Sequence, residues 1–152
     1  MKLYTKKDSS LDDDYLTLQY RQITPAINQI LEICRQGTQL LLVEQNDRKL
    51  NIEISDIYYI EWVDDRSCIC TEKEIYTTPQ TLSQLENLLD SNIFFRVSKP
   101  ILLNVYMIKW ISSGLNMRLL AELINGERIT ISRHYRSALL TAIENLGKES
   151  KK

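Results

Sequence analysis

The side chains best suited to chemistry in this sequence offer little to an enzyme. The single histidine, His134, stands between Arg133 and Tyr135, and no serine, cysteine or aspartate is spaced around it as a nucleophile-and-base arrangement requires. No phosphate-binding loop of the G-x-x-x-x-G-K-[ST] type occurs. We therefore predict that the chain is not an enzyme and needs no cofactor.

Basic residues are concentrated in the last part of the chain. The formal net charge is −1, yet residues 93–152 hold 10 Lys+Arg against 4 Asp+Glu, whereas residues 1–92 hold 9 against 16. A basic segment is typical of surfaces that attract the phosphates of nucleic acid. The C-terminal part is therefore the candidate nucleic-acid surface.

Two groups of residues could be taken for metal sites. Cys34, Cys68 and Cys70 are too few for the four ligands of a structural zinc site, so we interpret them as reduced packing thiols rather than a metal or redox centre. The run 12–14 consists of three aspartates, and adjacent carboxylates in a polar terminus favour a solvated charge run over a metal site. No metal is predicted.

The composition indicates an ordinary globular protein. Hydrophobic residues make up 43% of the chain and charged residues 26%. There is no apolar run of about 18 residues and no signal-peptide core, so the expected location is the cytoplasm. We divide the chain into an N-terminal extension at 1–37, a main domain at 38–147 and a charged tail at 148–152.

The extension is predicted to contain a strand and an amphipathic helix. Residues 15–20 alternate as in a strand, and Thr24-Pro25 supplies an N-cap followed by proline at the first helical position. The helix should end near Gly37. Its apolar residues recur at i, i+3, i+4 and i+7: Ile27, Ile30, Leu31 and Cys34. This stripe either packs on the chain's own core or forms a dimer contact.

Three β-hairpins are predicted in the main domain. They join residues 39–44 to 49–54 around Asn46-Asp47, residues 57–63 to 68–76 around the polar run 64–67, and residues 116–123 to 127–131 around Asn125-Gly126.

Helices and further strands complete the predicted domain. Thr81 caps a short helix that ends near Asp90, and strand patterns follow at 94–97, 101–105 and 107–111 with Pro100 at a bend. An amphipathic terminal helix ends at Gly147. The predicted fold class is mostly β (α+β), with antiparallel hairpins and sheets, short flanking helices and a C-terminal helix.

Three motifs follow one another between Phe94 and Tyr135. They read F-x-R-x-[SH]-x-x-x-x-x-N at 94–104, I-x-x-I at 108–111 and N-G-x-x-I-x-[IV]-S-R-x-Y at 125–135. None of them is specific alone, but their order and spacing are. Over about residues 40–147 the chain resembles the LytTR domain, the DNA-binding module of LytR/AgrA-type response regulators.

The resemblance implies a mostly β fold that places loops, rather than a recognition helix, in successive major grooves. It implies a sequence-specific transcription regulator that binds imperfect direct repeats in double-stranded DNA, as a homodimer at least when bound. Stand-alone members are often encoded beside a small membrane protein that restrains them. The expected partners are therefore DNA, such an inhibitor and RNA polymerase. From the apolar stripe of the N-terminal extension we hypothesise that it mediates dimerisation or inhibitor contact.

The family's contact loops fall on the turn at 65–67, the bend at 98–104 and the segment 132–133. The site residues carried over are Arg66, Ser98, Lys99, Asn104, Arg133 and His134. The guanidinium of Arg133 matches the acceptor pair of guanine, while Arg66 and Lys99 are assigned to phosphates. Asn104 either contacts the DNA or caps a turn through backbone hydrogen bonds.

The chain departs from the family pattern in three respects. Ser98 replaces an imidazole that is common there, and His134 stands where a second basic residue is common. The roughly 40 residues before the module lack the acidic pocket and parallel strands of a phosphoacceptor receiver domain, so control by phosphorylation is not expected. The main alternative is a β-rich protein-interaction module, which predicts that the basic side chains scatter over the surface.

Overall fold

The protein is described by a computed structural model at residues 2–11, 16–36 and 39–149. The chain divides into two units, Met1–Cys34 and Arg35–Lys152. Within the described ranges, none of the helices combines the length and apolar character needed to cross a bilayer.

The first unit contains most of helix α1, Pro25–Gln36. Thr24 caps this helix as expected, because its Oγ1 accepts a hydrogen bond from the Ile27 N–H at 3.3 Å. Ile27 is buried, Ile30 and Leu31 are half-buried, and Cys34 is exposed. The predicted end at Gly37 lies outside the described residues.

The strand predicted at 15–20 is wrong for residues 16–20, which form no strand; Tyr15 lies outside the described residues. Alternating apolar residues form a strand only where another strand supplies hydrogen bonds.

The second unit is built on a seven-stranded antiparallel sheet with the order β2-β1-β5-β4-β3-β7-β6. Its strands are β1 Leu40–Gln45, β2 Arg48–Glu53, β3 Tyr59–Val63, β4 Arg66–Cys70, β5 Ile75–Thr78, β6 Phe94–Ser98 and β7 Ile101–Asn104. The hairpin predicted around Asn46-Asp47 is confirmed, with both turn residues at positive φ.

The strand predicted at 68–76 is in fact two strands, β4 and β5. The chain reverses between them, where the Thr71 N–H donates to the Glu74 carbonyl at 3.0 Å and the Thr71 hydroxyl donates to the same carbonyl. The polar residues 71–74 form this turn, but the apolar residues on both sides had been interpreted as one continuous strand.

A smaller three-stranded sheet has the order β10-β9-β8, with β8 at Ile108–Ser113, β9 at Leu119–Leu123 and β10 at Arg128–Ile131. The hairpin at Asn125-Gly126 is confirmed. The strand predicted from Asn116 begins only at Leu119, because Asn116 and Met117 adopt positive φ and interrupt the extended chain.

Two helices complete the unit. Helix α2, Leu82–Leu88, begins with a capping box in which Thr81 and Gln84 each accept a hydrogen bond from the other's backbone N–H. Helix α3, Arg136–Glu149, continues through Gly147, where an end was predicted. Glycine lowers helix propensity by only about 1 kcal/mol, so it does not by itself end a helix.

The large sheet has an apolar core on each face. Leu102 packs in one core with Leu82 and Leu85 of α2, and its neighbour Leu103 packs in the other with the small sheet and α3. Successive strand residues point to opposite faces, so β7 serves both cores. Because β7 lies between β3 and β6 and packs on the small sheet, the turns that follow β3 and β6 have a fixed position relative to the small sheet.

Candidate nucleic-acid interface

Four connections lie together at one end of the second unit. The Trp62 N–H donates to the Pro100 carbonyl at 2.8 Å, which places the β3–β4 turn (64–65) beside the β6–β7 turn (99–100). The Ser132 N–H donates to the Val97 carbonyl at 2.8 Å, which adds the 3₁₀ turn Arg133–Tyr135. We call this end, with the β8–β9 loop (114–118), the loop edge.

The β8–β9 loop belongs to this edge because of strand register. Leu119, the first residue of β9, pairs with Ile131, the last residue of β10, so the loop before β9 lies beside the turn after β10. Asn116 and Arg118 of the loop line an open cleft of about 480 Å³ together with Ser132, Arg133 and His134. The predicted residues Arg133 and His134 are both exposed there.

Further contacts fix the shape of this corner. Gly114 and Arg118 close the loop through a hydrogen bond from the Gly114 N–H to the Arg118 carbonyl at 2.9 Å. Nη1 of Arg136, at the start of α3, donates to the Met117 carbonyl at 3.3 Å. The rings of His134 and Tyr135 meet edge to face, with centroids 4.8 Å apart. Loop and helix are therefore joined by direct contacts.

Lys99 lies in the β6–β7 turn, and the side chain of Arg96 is hydrogen-bonded to the backbone of this turn. Arg96 donates from Nη1 to the Lys99 carbonyl at 2.6 Å and from Nη2 and Nε to the two carboxylate oxygens of Glu86 at 2.6 and 3.2 Å. This bidentate hydrogen bond to Glu86 raises the pKa of the Arg96 guanidinium. Arg96 thus links α2 to the turn, while the Lys99 side chain is exposed.

Arg66 has different surroundings from the other predicted cations. Its Nη1 lies 3.4 Å from Oε2 of Glu44, and it follows two acidic turn residues, Asp64 and Asp65. Both aspartates adopt positive φ, with φ of 49° and 60°. Arg66 begins β4 directly after the β3–β4 turn of the loop edge, and its charge is offset locally by Glu44.

Asn104 is at the far end of β7 and only 3% exposed. Its Nδ2 donates to the Ile57 carbonyl at 2.8 Å, and its Oδ1 accepts from the Tyr106 N–H at 3.0 Å. The structure has the turn-capping arrangement, and we leave Asn104 out of the interface.

Ser98 ends β6 next to the loop edge. Its Oγ is buried and finds no hydrogen-bond partner among the described residues. A buried hydroxyl with no partner is uncommon in folded proteins.

The sequence analysis did not single out Asn116, Arg118 or Arg136, which the structure brings to this corner. Arg118 and Arg136 were visible only as members of the basic segment, and Asn116 was assigned to a strand. The break in apolar alternation at Gly114 and Asn116 was the one local signal for a loop.

The three cysteines are free thiols. Cys34 lies in the first unit, and Cys68 and Cys70 lie on β4. Burial raises the pKa of the Cys70 thiol to about 11, which keeps it protonated. Among the described residues no cluster of His, Cys, Asp and Glu could hold a metal ion; the aspartates 12–14 lie outside them.

Comparison with known proteins agrees with the motifs. A family profile described as the LytTr DNA-binding domain matches residues 47–144. The chain is 27% identical over 105 residues to the sensory transduction protein LytR of Streptococcus mutans serotype c, a match covering 69% of this chain and 43% of that protein. It is 31% identical over 99 residues to the sensory transduction protein LytT of Bacillus anthracis, covering 65% and 39%.

A solved structure has the same fold. The LytTr DNA-binding domain of a response regulator from Bacillus cereus superposes with a TM-score of 0.66 at 25% identity, covering 70% of this chain and 98% of that one. This match confirms the predicted fold class, which is mostly β with antiparallel sheets and flanking helices. The fold and the loop edge together define a LytTr-type domain.

The chain belongs to the LytTR family of DNA-binding domains, which is not a family of enzymes. It spans less than half the length of the curated relatives it matches.

Proposed function

We propose that this chain is a transcription regulator that binds double-stranded DNA sequence-specifically through the loop edge. The observation that carries the proposal is the convergence of Lys99, Arg118 and Arg133 on one end of the fold. None of the three pairs with an acidic residue that the structure describes. The alternative of a protein-interaction module predicts scattered cations, and this arrangement favours DNA.

Each side chain of the edge has a role that suits its chemistry. Arg133 is exposed on a 3₁₀ turn and contacts a guanine through its planar pair of donors. Lys99 binds a phosphate, and Arg66 does so more weakly because Glu44 competes for it. Ser98 and His134 lie beside these contacts and adjust the base preference.

The finer features of the proposal follow from the family resemblance. Two protomers bind repeated half-sites, with loops entering successive major grooves. Residues 38–147 form the DNA-binding domain, residues 1–37 an extension that mediates dimerisation or contact with a small membrane-protein inhibitor, and residues 148–152 a charged tail. Regulation proceeds through RNA polymerase. Sedimentation of a variant beginning at Gly37 tests the dimer role, because an unchanged oligomer size contradicts it.

The first test is selection of duplexes from a randomised library by the full chain, followed by fluorescence anisotropy on the best duplex. We expect Arg133→Ala to weaken binding by about 1–3 kcal/mol and to relax the preference at one base pair. The matched control is Arg128→Ala. Arg128 lies on β10 at the opposite end from the loop edge and pairs with Glu122 at 3.5 Å, so its removal should change affinity little.

Selection without enrichment, or binding no tighter than to random duplex, contradicts the proposal. The protein-interaction module then becomes the better account, and pull-down of partner proteins is the next experiment.

A further inference from the structure

The tip of the β8–β9 loop has apolar side chains that are exposed and do not pack in the core. Leu115 is 86% exposed and Met117 is 64% exposed, so the domain buries neither side chain. The Asn116 amide also finds no hydrogen-bond partner within the described ranges. These three side chains therefore lie outside the apolar cores of the domain.

The same tip is nevertheless held in a defined conformation. Asn116 and Met117 have φ of 57° and 62°. Residues other than glycine and asparagine seldom adopt this left-handed backbone conformation. The Met117 carbonyl is held by Arg136, and the Arg118 N–H donates to the Leu115 carbonyl at 3.2 Å. An unfavourable backbone conformation maintained by its surroundings is common at functional sites.

The loop faces the residue that we assign to base recognition. Asn116 and Arg118 line one cleft with Arg133 and His134, and all four side chains are exposed. A DNA groove occupied by Arg133 therefore passes beside Asn116. Arg118 brings a positive charge to the same place without an acidic partner among the described residues.

We propose that the β8–β9 loop is a further DNA contact, in which Asn116 recognises an A·T base pair next to the pair contacted by Arg133 and Arg118 binds the adjoining phosphate. This inference rests on the proposed function. The asparagine amide matches the N6 donor and N7 acceptor of adenine, and the thymine methyl is the apolar group that Leu115 can contact. Both features favour the same base pair.

The test uses the full chain and the duplex selected from the randomised library. Asn116→Gly removes the amide while retaining a residue that tolerates positive φ, and Arg118→Ala removes the charge. Arg128→Ala is again the control for loss of one arginine from the same small sheet. Affinities are measured on the selected duplex, on all its single-base-pair substitutions and at several salt concentrations.

We expect Asn116→Gly to lose about tenfold discrimination at one A·T pair while discrimination elsewhere is unchanged. We expect Arg118→Ala to weaken all duplexes alike and to reduce the slope of log K against log salt by about 1. Arg128→Ala should do neither. Melting temperatures of the variants show whether the domain remains folded.

The outcomes separate this inference from the proposed function. If Arg133→Ala loses base discrimination while Asn116→Gly and Arg118→Ala behave like the control, the loop contact is wrong and the proposed function stands. If the unmodified chain binds no duplex specifically, both are overturned.

Discussion

The two ends of the loop edge differ in charge although both lie where the family resemblance places DNA contacts. At the β3–β4 turn, Arg66 follows Asp64 and Asp65 and lies 3.4 Å from Glu44. At the other end, Arg118 and Arg133 line one cleft, to which no acidic residue of the described ranges contributes. The same fold therefore offers the phosphate backbone one repulsive turn and one attractive corner.

The position of a loop on this edge and its contribution to DNA affinity are therefore separate properties. Most non-specific affinity comes from cations that displace counterions at phosphates. Arg66 must give up its partner Glu44 to do so, and the neighbouring Asp64 and Asp65 carboxylates repel the same phosphate. We therefore expect the basic corner to supply most of the binding energy.

The strongest test reverses the charge at each end in turn. Arg133→Glu should weaken binding to the selected duplex by about 3 kcal/mol or more, because a base contact is lost and a carboxylate then faces the DNA. Arg66→Glu should weaken it by about 1 kcal/mol or less. Anisotropy titrations at a single salt concentration measure both.

Equal losses in the two variants would contradict the comparison and would make the β3–β4 turn a full participant in binding. Circular dichroism melts of both variants are the control for folding, since Arg66 and Arg133 are exposed and their replacement should leave stability nearly unchanged.

Local patterns predicted the elements whose signals are local. Asn46-Asp47 and Asn125-Gly126 mark hairpins because few residues tolerate positive φ, and Thr81 marks a helix start because its hydroxyl caps the backbone. The same reasoning failed at 16–20, since a strand depends on a partner that the segment itself does not reveal. It also failed at Asn116, where an irregular loop interrupts an apolar run.

The site was predictable only in part for a related reason. The ordered motifs placed Lys99 and Arg133 at connections, and the structure has both exposed there. Whether a polar residue in such a motif faces solvent or the interior depends on strand register across the sheet. Asn104 shows this, because its amide is buried and hydrogen-bonded to the backbone of Ile57 and Tyr106. The contribution of Arg118 likewise arises only from the pairing of Leu119 with Ile131.

A smaller effect is expected from the residue that holds the Lys99 turn. Arg96→Gln removes the hydrogen bond to the Lys99 carbonyl and the pairing with Glu86, so the domain should lose about 1–3 kcal/mol of unfolding free energy. DNA affinity should fall a few-fold, by about 1 kcal/mol, because Lys99 is no longer held toward the phosphate. Chemical denaturation and anisotropy measure the two effects.

Two variants distinguish positioning from simple loss of stability. Glu86→Gln weakens the ion pair but leaves Arg96 able to reach the Lys99 carbonyl, so affinity should change less than in Arg96→Gln. In a Lys99→Ala background the effect of Arg96→Gln on affinity should disappear. Its persistence there would show that Arg96 does not act through Lys99.

The smallest expected effect comes from neutralising the acidic turn itself. Asp64→Asn with Asp65→Asn removes two charges while keeping residues that accept left-handed backbone, so the turn should survive. Affinity for duplex DNA should rise by about 0.5–1 kcal/mol at low salt and by less at high salt, because the removed repulsion is screened. The control is Asp47→Asn in the β1–β2 turn, which also has positive φ but lies at the opposite end of the large sheet, where Gln45 contacts Glu74. An equal gain in that control would mean that net charge alone sets the affinity, and the contrast between the two ends of the loop edge would then have no part in it.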